Sequence, residues 1–185
     1  MASRYQIVGY VIVTRDGMIA NADGVMPPEM IVEADQRHFE QELDTVAAVV
    51  HGRHSQEHFA RSAQRRRLVA TRRVAGLAPH PDNPNALLWN PAAVAHETAL
   101  QALGVTGGRI GIIGGTGIFG LFLPWYDAFY LTRADDVTLP GGRPVFPDVP
   151  RETPEQILQR HGLYPDASHV LDPVRGTSLV VWSRR

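Results

Sequence analysis

Hydrophobic positions along the chain alternate between short apolar runs and amphipathic stretches. Residues 5–13 are rich in Val, Ile and Tyr and end at a turn-forming segment, which predicts a buried first strand. Between residues 30 and 43, apolar and aromatic side chains recur at helical spacing and predict an amphipathic helix. Other β-like runs cover residues 46–50, 67–71, 85–89, 109–113, 129–132 and 178–182, and helical patterns cover residues 56–63, 91–103 and 116–123.

This alternation predicts the α/β fold class, in a three-layer α/β/α arrangement with a mostly parallel central sheet. Residues 162–185 contain β-like runs and turns but no clear helix, so we expect an antiparallel C-terminal edge. Residues 75–85, with three prolines, are the expected flexible surface loop, and residues 19–28 are expected to form a loop over a site. A chain of 185 residues suits one core, so we expect a single domain, 1–185.

Charge and composition narrow the classes of function. A formal net charge of −1 provides no global field for nucleic acid or anionic membranes, so we expect neither as a partner. The chain has no cysteine, which excludes thiolate chemistry and suits a reducing cytoplasm, where we expect the protein. The N-terminal apolar stretch is too short for a signal peptide or a membrane span. The eight histidines show no convincing metal spacing, and we expect no metal.

The sequence contains no lysine, so any phosphate must be held by arginine and backbone amides. The strongest such signal is a glycine-rich turn between a predicted strand and a short helix. Glycines let the backbone approach a phosphate, and the helix start offers unpaired N–H donors. A turn without a ligand is the alternative interpretation. The candidate anion-binding residues are Gly114, Gly115, Thr116, Gly117, Ile118 and Phe119.

Two other predicted strand ends carry arginine. Thr71 and Arg72 end the strand at 67–71 and could hold a 2′-phosphate, whereas Arg65 at its other end could face a substrate anion. A solvated basic edge is the alternative for this strand. The turn after residues 46–50 combines a glycine, a guanidinium fork and a hydroxyl, which suit a pyrophosphate unless they are simply solvated. That turn consists of Gly52, Arg53, His54 and Ser55.

Asp35 is the candidate acid. It lies four residues before Phe39, and therefore on the same face of the first predicted helix. A carboxylate beside apolar side chains has a raised proton affinity and could supply or relay a proton to a ring nitrogen. A solvated helix aspartate is the alternative.

Taken in order, these segments resemble the dihydrofolate reductase superfamily over residues 5–148. The resemblance rests on the loop ending at Met26-Pro27, Asp35 with Phe39, Gly52–Ser55, 68–72, 113–119, Leu123-Pro124, 130–132 and 146–148. It implies an NADPH-dependent oxidoreductase that delivers hydride to a pterin-like or pyrimidine-like ring, with no flavin or metal. By the same resemblance, Asp35 is the carboxylate facing the substrate ring, and Thr132 hydrogen-bonds it from a neighbouring strand.

The resemblance also implies roles for the remaining candidates. Phe39 would pack on the substrate ring beside Ile113, and Arg65 would grip a folate tail carboxylate. Ile12, Ile19 and Ala20 would lie near the nicotinamide. The cofactor phosphates and adenosine end would be held by Gly52, Arg53, His54, Ser55, Thr71 and Arg72, with residues 114–119 wrapping the pyrophosphate.

Two positions depart from the folate reductases. Pro28 stands where they carry tryptophan, and Arg143 stands where they commonly place a loop-ordering aspartate. Residues 15–20 and 44–53 look equally like the reductase half of the riboflavin-pathway deaminase-reductases. A 5-amino-6-ribosylaminouracil reductase is therefore an alternative, and a non-catalytic nucleotide-binding sensor is a second. The apolar run 179–182 additionally predicts an exposed β edge that could pair across a homodimer.

Overall fold

The computed structural model describes residues 4–185, in which strands and helices alternate along the chain. In chain order the elements are β1 (Tyr5–Thr14), β2 (Met18–Ala20), α1 (Glu33–Leu43), β3 (Ala48–Gly52), β4 (Arg67–Ala70), β5 (Leu77–Pro79), β6 (Ala86–Trp89), α2 (His96–Ala102), β7 (Gly108–Ile112), α3 (Thr116–Leu121), β8 (Ala128–Ala134), β9 (Arg143–Pro144), α4 (Pro154–Arg160), β10 (Leu163–Asp172) and β11 (Thr177–Arg184). Short 3-10 turns form at Pro28–Met30 and Ser62–Gln64.

Nine of the strands form one sheet, in the order β10-β11-β8-β1-β7-β3-β4-β6-β5. The six central strands from β8 to β6 are parallel to one another. β11 and β10 continue the sheet in antiparallel pairing at the C-terminal edge, and β5 is antiparallel to β6 at the other edge. The predicted α/β class with an antiparallel C-terminal edge is confirmed.

β1 lies near the middle of the sheet and is buried on both faces, which explains its nearly continuous apolar sequence. Gly9 allows an aromatic ring to lie directly against this strand, because a Cβ at this position would lie 2.3 Å from Phe129 Cδ2. Phe129 in turn packs edge-on against Tyr126 and Phe119. The core therefore extends from the centre of the sheet to the short helix α3, whose N-terminal glycines border the site described below.

Several local predictions are wrong. Residues 56–63 form an irregular segment rather than a helix, because the Glu57 side chain turns inward to meet buried arginines. Residues 77–79 of the expected flexible loop form the edge strand β5. Helix α1 begins at Glu33, three residues later than expected, because residues 28–30 form a 3-10 turn. Helix α2 covers only His96–Ala102 of the predicted 91–103.

Two further features of the C-terminal region differ from expectation. Helix α4 was not predicted, although Thr153 and Gln156 form a capping box around its start. The run 179–182 lies in β11, which is paired with β8 on one side and β10 on the other. The expected exposed edge at 179–182 is therefore wrong, because β10 covers it. Across residues 4–185, no helix combines the length and apolarity needed to cross a bilayer.

Candidate active site

A cavity of about 1290 Å³ runs across the sheet from the ends of β3 and β4 to α1, β1 and β8. Arg53 and Gly115 open onto this same cavity, although they lie far apart in the sequence. All the sequence-predicted site residues except Arg65 line it, namely Ile12, Ile19, Ala20, Asp35, Phe39, Gly52, Arg53, His54, Ser55, Thr71, Arg72, Ile113, Gly114, Gly115, Thr116, Gly117, Ile118, Phe119 and Thr132.

The end of the cavity formed where β3, β4 and β7 stop is called the cationic end here. Two glycine-bearing turns meet there, and the Gly52 amide donates to the Gly114 carbonyl at 2.7 Å. Gly114 has a φ of +114°, and a Cβ there would lie 3.0 Å from the Phe119 ring. A Cβ at Gly115 would lie 3.2 Å from Ser55 Oγ. Glycine therefore keeps this part of the cavity free of side chains and leaves the backbone accessible.

Three arginines supply the positive charge of the cationic end. Arg53 follows directly on β3, and Arg72 and Arg73 follow Thr71 at the end of β4, the neighbouring parallel strand. All three are exposed, and none of them forms an ion pair with another described residue. Their guanidinium groups are therefore available to an anionic ligand.

The opposite end of the cavity, called the acidic end here, is centred on Asp35. Helix α1 presents Glu33 and Arg37 to solvent as an ion pair and turns Asp35 inward, where it is only 9% exposed. The Thr132 side chain on β8 lies close enough to the Asp35 carboxyl group to lower its pKa. Burial raises the pKa of Asp35 above its ordinary value, and Thr132 and nearby His38 only partly oppose this rise.

Aromatic side chains line the same end of the cavity as Asp35. Tyr10 and Tyr130 are register partners on β1 and β8, with ring centroids 4.9 Å apart. Phe39 lies 6.1 Å from Tyr10 and 5.6 Å from Phe59 between centroids. The sequence-predicted site residues do not include Tyr10, Tyr130 or Phe59. Each tyrosine precedes a predicted site residue by two positions, which places both on one strand face, whereas Phe59 lies on an irregular segment without such a signal.

A buried ionic network supports the segment 53–64, which connects the two ends. Arg67 is 1% exposed and donates to Glu57 Oε2 and Oε1 at 2.9 and 3.0 Å, and to the Ser62 carbonyl at 2.7 Å. Burial alone would raise the pKa of Glu57, but the hydrogen bonds and charge of Arg67 outweigh it and hold the pKa below its ordinary value. The network thereby anchors the loop that carries Phe59.

His51 completes the network as a neutral side chain. Its Nδ1 lies 2.7 Å from the Gly52 carbonyl, and its Nε2 lies 2.9 Å from an Arg67 nitrogen. Because a guanidinium can only donate, His51 accepts at Nε2 and carries its proton on Nδ1. Burial lowers the pKa of His51 to about 4, so it stays uncharged at neutral pH.

The structure corrects the prediction that Arg65 faces a substrate anion. Its two terminal nitrogens donate to Glu57 Oε1 at 2.9 Å and to Asp44 Oδ1 at 2.8 Å. The Arg65 side chain is 8% exposed and does not line the cavity. Two protein carboxylates therefore occupy the guanidinium that the sequence assigned to a ligand.

No family profile matches the sequence, and no curated protein matches it either. Among the solved structures that resemble the chain, two each have a TM-score of 0.65 and 18% sequence identity over 97% of this chain. One is a protein described as belonging to riboflavin biosynthesis from Shewanella sp. PV-4, of which 99% is covered. The other is dihydrofolate reductase from Enterococcus faecalis in complex with NADP(H) and RAB-propyl, of which 96% is covered. The chain therefore has the dihydrofolate-reductase-like fold.

Proposed function

We propose that this chain, with its dihydrofolate-reductase-like fold, is an NADPH-dependent reductase that transfers hydride to a pterin-like or pyrimidine-like ring. One observation carries this proposal: a single cavity joins unpaired arginines and open glycine turns to a buried carboxyl group. β4 and β8 are four strand spacings apart in the sheet, or about 19 Å. A span of that length suits an extended dinucleotide with a ring substrate beyond its reduced end.

The residues of the cationic end fit a dinucleotide. Gly114 and Gly115 have little room for a Cβ beside Phe119 and Ser55, and glycine at these cavity-lining positions lets a pyrophosphate approach the backbone. Arg53 and Ser55 lie on the turn hydrogen-bonded to these glycines, and Arg72, just after β4, is our candidate for binding a 2′-phosphate. When bound, a reduced nicotinamide would supply the hydride.

The acidic end supplies the proton that such a reduction requires. Adding hydride to the carbon of a C=N bond leaves a negative charge on nitrogen, which a proton must neutralise. The raised pKa of Asp35 keeps this carboxyl group protonated to a higher pH than an exposed aspartate. Thr132 lies beside the carboxyl group, and Phe39, four residues along the same helix face, provides a surface for a flat ring.

Titration with NADPH, followed by nucleotide fluorescence, tests the cofactor half of the proposal. We expect saturable binding, and the absence of binding at millimolar NADPH would refute the assignment. An NADPH-oxidation assay against dihydropterins and ribosylaminopyrimidines then tests the reductase half. Intact NADPH binding without turnover of any of these rings would instead favour a nucleotide-binding sensor.

A ribosylaminopyrimidine is the second candidate substrate. The solved structure described as a riboflavin biosynthesis protein is as similar to this chain as the dihydrofolate reductase, with the same TM-score and identity. Pro28, where folate reductases carry tryptophan, begins a 3-10 turn beside the cavity-lining Met30. Parallel assays with dihydrofolate and a ribosylaminopyrimidine separate the candidates, because activity with dihydrofolate alone would eliminate the second.

A further inference from the structure

We infer that the acidic end takes an uncharged planar ring with an apolar substituent, and that the substrate does not rely on an anionic tail for binding. This inference rests on the proposed reductase function and specifies its substrate class. Three observations support it: the pairing of the arginines near the acidic end, the aromatic wall around Asp35, and the charge of Asp35 itself.

The cations around the cavity are unevenly distributed. Arg53, Arg72 and Arg73 belong to the cationic end, and Arg143 is held at the loop over β2, where its Nε donates to the Ala22 carbonyl at 3.4 Å. Among the described residues that line the acidic end on α1, β1, β8 and 56–59, none is an arginine. An anionic tail there would meet the imidazoles of His38 and His58 but no cavity-lining guanidinium.

Three arginines near this end but outside the lining already have carboxylate partners, and one of them, Arg109, pairs with Glu42 at 3.0 Å. Arg65 bridges Glu57 and Asp44, and Arg61 pairs with Asp44 at 3.0 Å. Glu57 is in turn paired with the buried Arg67, which fixes the position of the Glu57 carboxylate. A ligand carboxylate would therefore have to compete with two protein carboxylates for Arg65.

The wall beyond Asp35 is aromatic. The rings of Phe39 and Phe59 meet edge to face at 71°, and both line the cavity. Removing a carboxylate from water against such a wall is unfavourable without a charged partner, whereas an apolar substituent gains contact area. Asp35 adds no attraction for an anion, because it is neutral when protonated and repulsive when ionised.

Calorimetry with a charge-matched ligand pair tests the inference without turnover. Dihydrofolate and its diamide, in which both tail carboxylates are amides, are titrated into the full-length protein saturated with NADP⁺. We expect the diamide to bind at least as tightly as dihydrofolate, with a ratio of dissociation constants that does not change between 50 and 500 mM salt. Tenfold tighter binding of dihydrofolate, weakening with salt, would overturn the inference and leave the reductase proposal intact.

Two other outcomes of the same titration would contradict the proposed function itself. If NADP⁺ binds and neither ring binds at millimolar concentration, the proposed ring substrate and this inference both fail. If NADP⁺ itself does not bind, the reductase proposal fails first and the inference falls with it.

Two variants test which protein side chain contacts the substituent of the ligand. Arg65→Met should leave the ratio of dissociation constants for the two ligands unchanged, whereas Phe59→Ala should weaken binding of the diamide about tenfold. Selective weakening of dihydrofolate in Arg65→Met would show that this arginine is available to the tail, and would overturn the inference. Circular dichroism on both variants checks that the fold is retained.

Discussion

The two ends of the cavity are constructed differently. The cationic end is made of turns that follow strands, so the candidate binding groups within each turn are contiguous in the sequence, and its arginines are exposed. The acidic end brings together side chains from α1, β1, β8 and an irregular segment, and those at its centre, Asp35, Phe39 and Thr132, are at least partly buried. A ligand group at the first end would meet backbone and exposed cations, while at the second it would meet buried or half-buried side chains. We therefore expect substitutions at the two ends to alter different observables.

The largest expected effect is that of Asp35→Asn, which keeps the shape of the side chain but removes the carboxyl proton that could be transferred. We expect single-turnover hydride transfer to fall by about 10³-fold, because general acid catalysis contributes about 10²–10⁴. The dissociation constant for NADPH should stay unchanged, since the cationic end is intact. Glu33→Gln, on the exposed side of the same helix, is the matched control. Equal losses in both variants would contradict a specific role for Asp35.

Glu57→Gln removes the carboxylate that supports the segment linking the two ends. We expect the free energy of unfolding to drop by about 3 kcal/mol, because Arg67 is left buried without its ionic partner. Urea denaturation measures this loss. Breaking the exposed Arg37–Glu33 pair through Glu33→Gln should cost only about 0.3–0.5 kcal/mol. A loss of similar size in both variants would show that the buried network does not stabilise the fold.

Arg72→Ala sharpens the comparison at the cationic end. We expect NADPH binding to weaken about tenfold, or about 1.4 kcal/mol, with little change for NADH, because we propose that this cavity-lining side chain binds the 2′-phosphate. Fluorescence titration with both nucleotides measures the difference. Arg151→Ala removes an equal charge from a side chain that is 79% exposed and lies outside the cavity. The same change in Arg151→Ala would indicate a general charge effect instead.

The pH dependence of stability offers a smaller test at the acidic end. The pKa of Asp35 is raised in the folded state, so its contribution to stability is complete below about pH 3.8. As pH rises from there through the folded pKa, the unfolded chain ionises first and this contribution is lost. The melting temperature of Asp35→Asn should therefore rise relative to the wild type between pH 4 and 7. If the melting temperature of Asp35→Asn instead falls relative to the wild type over this range, the burial of the carboxyl group is contradicted.

What could be predicted from the sequence follows the same division. Gly114, Gly115, Arg53 and Arg72 stand in local motifs, so the sequence identified the cationic end from single turns. The acidic end depends on the pairing of β1 with β8 and on the path of residues 56–59, which are tertiary properties. Arg65 illustrates the limit, because no local pattern shows that Glu57 and Asp44 converge on it.

The fold shows a related limit. The alternation of apolar runs predicted the parallel sheet and its antiparallel C-terminal edge, because each strand carries its own signal. The helix predicted over residues 56–63 does not form, because buried ion pairs outweigh the helical spacing of its apolar residues. Helix α4 could have been found from Thr153, Pro154 and Gln156, which form a standard helix start.

The central claim is that the two ends form one site in which a coenzyme hydride reaches a ring beside Asp35. Reduction of a dihydropterin with NADPH carrying two deuterium atoms at C4 of the nicotinamide tests this directly by mass spectrometry of the product. We expect one deuterium in each reduced ring, because the hydride is transferred directly from the nicotinamide and does not exchange with water. A reduced product that contains no deuterium would contradict it.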